Sequence, residues 1–415
     1  MTRIADALLA CRALAYGDRD RAVLRLSLLD WAACAIAGAG EPVARAAQAA
    51  ADAPGLCAVV GGPDAIPAQA ALANATTGHA LDYDDTHFDH IGHVSTVVVP
   101  AALAAAQAQG AGWTTFERAC FAGAEAAVRM GVWLGRAHYQ AGFHQTATSG
   151  AFGACIAACH AAGLDEAATR HALGLTASRA AGSKAQFGTM GKPLNAGIAA
   201  QSGVECARLA ALGATSADDA LDGPQGFGPT HAGEGAPIPG EARFHAVAHK
   251  LHACCHGLHA PLEALALALA DGADPAAPIT VTTHPRWLKV CAQPDPATGL
   301  AAKFSFRHAL ALRAAGHDTA ALDTFSDALA TDPALVAARR RVTVRTDDAL
   351  ADTAARISID GRATAFDLSD PQPLEARADR VRAKARALIG ERADALAAIV
   401  DQGDLRGYAG ALSAA

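Results

Sequence analysis

The sequence predicts a mainly α protein built from a large all-helical domain and a smaller α+β domain, and three observations carry that expectation. Alanine-rich segments with apolar residues at helical spacing recur through roughly the first 270 of 415 residues. Alternating β-branched residues are confined to 278–289 (PITVTTHPRWLK), 342–347 (VTVRTD) and 355–360 (ARISID). Between the helical part and these strands, the stretch after Gly223 (DGPQGFGPTHAGEGAPIPGEARF) holds too many Gly and Pro residues to continue a helix and reads as a long connecting loop.

The first strong helix is 22–38 (AVLRLSLLDWAACAIAG), stopped by Gly38 to Glu41. Further helices are expected near 66–80, 97–109, 115–135, 148–163, 165–180, 196–212 and 260–271, joined by short glycine-bearing links. In the smaller region, helices near 303–315, 319–329 and 333–340 separate the strands, and Asp360-Gly361 is a hairpin signal. The segment from Pro373 to Ala411 returns to helix and either belongs to the small domain or folds back onto the large one. No internal repeat is visible.

Composition narrows the function classes. Hydrophobic residues make up 52% and charged residues 18%, which argues for large buried cores and against disorder. Lys and Arg total 34 against 41 Asp and Glu, a net charge of −7, so there is no basic excess for a phosphate backbone and nucleic acid is not an expected partner. The first residues mix acids and bases every few positions, unlike a signal peptide. The longest uncharged stretch, Val94 to Phe116, contains Pro100, Gly110 and Gly112 and is alanine-dominated, so no membrane span is expected. Ten cysteines lie scattered without a framework, which suggests buried thiols and a cytoplasmic location.

Five polar constellations stand out. Asp82, Asp84, Asp85, Thr86, His87, Asp89, His90 and His93 fall within twelve positions, a density that suits proton transfer near neutral pH; the plainer reading is a solvated loop whose Asp or Thr caps the next helix. Asp82 to Thr86 also matches the DxDxT pattern of aspartyl-phosphate phosphatases, but the preceding ANATTGHAL is not strand-like. Tyr139 and His144 precede small residues that open a helix, a setting able to receive a ligand carboxylate or simply to pack. Lys192, in FGTMGKPLNAG, either snorkels to water or pairs with an anion. His252-Ala-Cys-Cys-His-Gly-Leu-His259 has ligand-like spacing for zinc but no second ligand pair nearby, so no metal is expected. Lys303, Arg307 and His308 open a helix in KFSFRHALAL.

In this order, HALDYDDTHFDHIGHVSTVVVPAALA, GFHQTATSGAFGACIAA, FGTMGKPLNAGIAAQSGV, KLHACCHGLH and KFSFRHALAL make the chain resemble the MmgE/PrpD family, which includes 2-methylcitrate dehydratase, cis-aconitate decarboxylase and iminodisuccinate epimerase. The resemblance spans nearly the whole chain. It implies a large helical domain, residues 1–272 completed by C-terminal helices at about 373–415, and a small α+β lid domain at 273–372. It also implies a homodimer, a site between the domains, and neither metal nor organic cofactor. Family motif positions fall on Asp82, Thr86, His93, His144 and Lys192. Val94 and Gln145 stand where the family has proline, Asn195 where it has histidine, and His308 where some members carry tyrosine; Tyr139 resembles the epimerase-like branch.

The resemblance implies a lyase, a dehydratase or decarboxylase, acting on a small di- or tricarboxylate at carbon next to a carboxylate. An isomerase or epimerase of an iminodisuccinate-like dicarboxylate is the alternative, and a catalytically lapsed carboxylate-binding protein the second. Expected catalytic residues are Asp82, His93, Tyr139, His144, Lys192 and His308, with Thr86, His144, Lys192 and His259 contacting substrate. Asp82 is expected to orient His93, with Tyr139 or His308 acting from the opposite face.

Overall fold

In a computed structural model describing residues 3–238, 240–291, 293–370 and 372–415, the chain divides into two units. The first comprises residues up to His249 together with Ile389–Ala415, and the second spans Lys250–Leu388. Along the first run α1 (Ile4–Ala10), α2 (Asp18–Gly38), α3 (Pro42–Ala50), a hairpin of β1 (Pro54–Val59) and β2 (Gly62–Ala65), and α4 (Pro67–His79). Then follow α5 (Ser95–Ala108), α6 (Trp113–Gln140), α7 (Gln145–Ala161), α8 (Glu166–Ala177), α9 (Gly191–Ala211) and the short α10 (Phe227–Thr230). The second unit holds α11 (His259–Ala270), β3 (Ile279–Thr283), α12 (Gly299–Ala302), α13 (Phe306–Ala314), α14 (Asp327–Ala330) and α15 (Pro333–Arg339). It continues with β4 (Val342–Thr346), β5 (Ala354–Ile359), β6 (Arg362–Asp367) and α16 (Leu374–Ile389), before α17 (Arg392–Gln402) and α18 (Leu405–Ser413) rejoin the first unit.

The mainly α class holds, with helices forming most of the structure and sheets of only two and four strands among the described residues. In the first unit α4, α5, α6, α7 and α9 pack on one another. Their inner faces are lined by alanine, valine and cysteine, as in Ala101, Val98 and Cys155, all buried. Small side chains let helix axes approach closely, which is why so alanine-rich a sequence still builds a dense core. All ten cysteines are free thiols. No single helix among the described residues is long and apolar enough to cross a membrane.

The C-terminal helices close this unit. Tyr408 is fully buried on α18, donates its hydroxyl to the Leu28 carbonyl at 2.8 Å, and packs against Trp31, Trp113 and Phe116. The C-terminal return is therefore split: α17 and α18 join the helical unit while nearly all of α16 stays with the second.

The second unit begins at Lys250 rather than 273 and ends at Leu388 rather than 372. The reason is packing: α11 lies on β5, β6 and α13, and Arg380 of α16 is ion-paired to Glu263 of α11. Its sheet has the order β4-β3-β5-β6, with β3 and β4 parallel and the other pairs antiparallel. Asp360 and Gly361 both adopt positive φ between the paired ends Ile359 and Arg362, as a two-residue hairpin turn requires.

Three local expectations are corrected. The strand expected over 278–289 stops at Thr283, because His284 accepts the Arg286 N–H and Pro285 starts a 3₁₀ turn. The helix expected at 319–329 is broken into a 3₁₀ turn and α14, because Asp318 takes the Ala320 N–H and Ser326 caps a new helix. The strands β1 and β2 lack the β-branched alternation that marks the others and were not expected, whereas β6 is the second arm of the hairpin that Asp360-Gly361 signals.

Two close helix approaches set up the candidate site. A Cβ on Gly78 would lie 2.3 Å from Nε1 of the buried Trp31, and one on Gly197 would lie 2.1 Å from Oγ1 of Thr76. The first seats the end of α4 against α2, and the second seats α9 against α4. Gly78→Ala is expected to destabilise by about 1–3 kcal/mol through overpacking, read as a lowered melting temperature. An unchanged melting temperature would show that the α2–α4 contact yields freely.

Candidate active site

His79 is the last residue of α4 and buried, and the chain then turns through Asp82, which adopts a positive φ of 51° and donates its N–H to the His79 carbonyl. That turn sends Asp84 back beneath His79. The Asp84 carboxylate is fully buried, with one oxygen 2.8 Å from His79 Nδ1 and the other 2.9 Å from His93 Nδ1. Burial alone would raise its pKa, but the charges and hydrogen bonds of the two imidazoles hold it well below the usual carboxylate range. Asp84 therefore stays ionised and fixes both rings, whose centroids lie 4.4 Å apart edge to face.

The other side of His93 faces Asp82, with Nε2 3.4 Å from Oδ1, and the same oxygen lies 2.8 Å from Lys192 Nζ. Asp82 is thus shared between an imidazole and an ammonium. It is about one-third exposed, whereas Asp84 is buried, so the first can meet a ligand and the second cannot.

His144 immediately precedes α7, and its ring stacks 6.1 Å from His79 and packs edge-on against Phe187. Burial, reinforced by the charge of Lys192, pushes its pKa well down, so the ring is neutral at neutral pH. Asn195 Nδ2 lies 3.2 Å from His144 Nδ1 and 3.2 Å from the Ser183 carbonyl. A carbonyl accepts only, so the Asn195 amide must present its NH₂ group there and donate to Nδ1, leaving the proton on Nε2. Asn195, standing where the family motif has histidine, thereby sets the His144 tautomer. Asn195→Leu is expected to weaken ligand binding and turnover together by roughly tenfold, the value of one or two hydrogen bonds. Unchanged kinetics in that variant would remove Asn195 from this role.

The rest of the polar run is structural. Asp85 is buried, and accepts both the N–H and the hydroxyl of Ser95, the first residue of α5. The helix-capping reading is thus right for this one member. His87 Nε2 reaches the Arg243 carbonyl, and His90 Nδ1 the Ala127 carbonyl, with burial pulling the His90 pKa down to about 3. Thr86 forms a backbone bridge with Ala248. A helix, not a strand, precedes Asp82, which removes the context a DxDxT phosphatase needs.

Asp82, His93, His144 and Lys192 are therefore brought together, joined by His79, Asp84 and Asn195, to which the sequence reading gave no catalytic role. Two signals were available: a helix-ending histidine three residues before Asp82, and a second aspartate two residues after it. Tyr139 lies beyond a break at Gly135 in α6, its ring 3.7 Å from Lys184 Nζ, and Lys184 also donates to its carbonyl. His308 and His259 belong to the second unit. His308 is fully buried on α13, which packs on α11, α15 and β4, and its two ring nitrogens have no hydrogen-bond partner among the described residues. His259, also buried, packs edge-to-face with His252 and at a tilt with His256, and the two nitrogens of His252 are committed to Thr319 and Glu263. That commitment, not spacing, argues against a zinc ligand set in this segment.

Among the described residues, His79, Asp82, Asp84 and His93 place ligand-type atoms within 4.8 Å of one another. Lys192 already brings a positive charge to Asp82, and Asp84 is engaged by both imidazoles, so the donor set is arranged to hold protons rather than to compete for a cation.

The MmgE/PrpD N-terminal domain model matches residues 3–237 and the C-terminal domain model residues 252–393. The chain belongs to the MmgE/PrpD family. Its similar MmgE/PrpD relatives include cis-aconitate decarboxylase of Homo sapiens, 32% identical over 177 residues, covering 40% of this chain and 35% of that protein. Cis-aconitate decarboxylase of Aspergillus terreus is 31% identical over 188 residues, covering 43% and 38%. A cis-aconitate decarboxylase-like protein of Aspergillus oryzae is 31% identical over 200 residues, covering 44% and 41%. The matches thus span about two-fifths or less of these relatives' lengths.

Proposed function

We propose that the protein is a cofactor-independent lyase that decarboxylates or dehydrates a small di- or tricarboxylate, with cis-aconitate the first candidate. The observation that carries this reading is His93 held between buried Asp84 and ligand-accessible Asp82, next to Lys192. Lys192 in the first turn of α9 and His144 at the start of α7 supply an ammonium and a neutral Nε2–H at two helix N-termini, a setting that favours carboxylates.

In decarboxylation the C–C bond to the departing carboxylate breaks and CO₂ leaves. The electron pair remains on carbon, delocalised toward the retained carboxylates, and His93 delivers a proton to close the C–H bond. In dehydration the same imidazole removes the proton next to a carboxylate and passes it to the hydroxyl group, whose C–O bond breaks with the loss of water. Both use one acid–base group. Epimerisation needs a second on the opposite face, and Tyr139, the candidate for it, is packed against Lys184. The geometry therefore favours a lyase over an epimerase.

The test is incubation with cis-aconitate, methylcitrate, citrate and iminodisuccinate in deuterated water, followed by NMR. Loss of CO₂ with deuterium on the product carbon supports decarboxylation, and loss of water supports dehydration. Binding without C–H exchange or product from any of these acids would favour a catalytically lapsed binding protein.

A further inference from the structure

Nine of the ten cysteines are buried, and Cys255 is the one that reaches solvent in part. It lies in the second unit, directly before the 3₁₀ turn His256–Leu258 that leads into α11. Cys291 lies in the same unit, two residues beyond the 3₁₀ turn Pro285–Lys289. Backbone contacts bring these two segments together. The Cys291 N–H donates to the Trp287 carbonyl at 2.7 Å, and the Trp287 indole lies so close to Gly257 that a Cβ there would sit 2.4 Å from its Cε3. Trp287 is itself fixed, since its Nε1–H donates to the Asp352 carbonyl at 2.6 Å. The Cys255 N–H donates to the Lys303 carbonyl at 3.0 Å, and the Gln293 N–H to the neighbouring Phe304 carbonyl at 3.3 Å. So placed, the Cys255 and Cys291 thiols hydrogen-bond to each other.

Oxidation of such a pair removes two hydrogens and closes the sulfurs to an S–S bond of roughly 2 Å. We propose that Cys255 and Cys291 form a reversible disulfide on exposure to peroxide, with Cys255 the reacting thiol and Cys291 the resolving one. Cys255 is the sulfur that an oxidant can reach. The hydrogen bond to Cys255, with burial, holds the Cys291 thiol well above its ordinary pKa, so Cys255 ionises first and supplies the nucleophile. Its thiolate attacks hydrogen peroxide and the O–O bond breaks. The products are the Cys255 sulfenic acid and hydroxide, which takes up the proton the thiol gave up and leaves as water. The Cys291 sulfur then attacks the sulfenic sulfur; the S–O bond breaks, and hydroxide leaves with the Cys291 proton as a second water. Two electrons pass from the two thiols to one peroxide, and a dithiol reductant returns them. Both cysteines lie outside the α-helices and strands, so closure breaks no helix or sheet ladder. A second hydrogen-bonded thiol pair, Cys155 and Cys159, lies within α7 and is wholly buried, so peroxide does not reach it. The plainer role of the Cys255–Cys291 pair, two small side chains packed as apolar groups, involves no oxidation. The pair belongs to the second unit, and its oxidation requires none of the chemistry proposed at His93.

Treating the reduced full chain with a slight excess of hydrogen peroxide decides between these roles. Remaining thiols are alkylated in denaturant, and unreduced tryptic peptides are mapped by mass spectrometry for wild type, Cys254→Ser, Cys255→Ser and Cys291→Ser. The expected result is the loss of two of the ten thiols, a link between the Cys255 and Cys291 peptides, and recovery of both thiols with dithiothreitol. The link persists in Cys254→Ser, which separates Cys255 from its neighbour in sequence, and is absent in Cys255→Ser. In Cys291→Ser, dimedone traps the sulfenic acid on Cys255. Cys155 and Cys159 stay reduced throughout. No linked peptide in wild type, a link that survives Cys255→Ser, or oxidation of Cys155 and Cys159 as readily as of Cys255 would overturn the proposal. The wild-type map, with Cys155 and Cys159 as its internal control, keeps the test decisive should a serine variant fold poorly.

Discussion

His93→Ala is expected to lower kcat on the productive substrate by about 10²–10⁴-fold in a protein that still folds but melts lower, since it removes the one imidazole placed between Asp84 and Asp82 for proton transfer. The melting temperature falls because His93 is buried and is one of the two imidazoles on the Asp84 carboxylate, while the fold persists because His79 still pairs with Asp84. The variant leaves Lys192 and His144 in place, so substrate affinity should persist. Steady-state kinetics with a thermal melt checks both parts. Full turnover would remove His93 from the proton-transfer role, and a collapsed melting temperature would make it a folding residue.

The second large effect belongs to Asp84. It touches no ligand; it acts by positioning His79 and His93. Asp84→Ala leaves two buried imidazoles without their shared anion and is expected to cost about 3–5 kcal/mol of stability, the range for removing one partner of a buried pair. Asp84→Asn keeps an acceptor oxygen but no charge. It should fold better, lose most of the activity, and move the acidic limb of the kcat/KM profile to lower pH, because the protonated imidazole loses its counter-charge. A merely structural Asp84 would change stability and leave that profile where it is.

The wild-type stability profile has a definite sign. Asp84 is held well below its ordinary value, so its contribution is complete above the unfolded carboxylate range and is lost as pH falls through the folded value. Burial lowers His90 to about 3 and His308 to about 4, from 6.5 in the unfolded chain. Each is neutral when folded and favours the native state above pH 6.5; the unfolded chain takes up protons first as pH falls. The melting temperature should therefore decline from about pH 6.5 toward 4, as scanning calorimetry across that range would show. A flat profile would mean that these rings are hydrated or paired when folded.

What the sequence determined by itself is what local rules govern. Helical spacing in alanine-rich segments located α2 and α4 to α9 within a few residues, and Asp360-Gly361 announced its hairpin, because both depend on neighbours along the chain. The density of Asp and His from 82 to 93, with His144 and Lys192, marked the residues that do come together. Tertiary packing decided the roles. Eight polar residues in one run divide into a ligand-facing pair, a buried orienting carboxylate, a helix cap, two strapping histidines, Thr86 in a backbone bridge and Asp89 paired to Arg243, and nothing in their spacing distinguishes Asp84 from Asp85. The difference arises because Asp82 turns the chain at positive φ and because Gly78 and Gly197 let α2, α4 and α9 close around His79. The full burial of His308 on α13 was likewise hidden from the sequence, since burial against neighbouring elements is a property of the fold and leaves no mark on the local sequence.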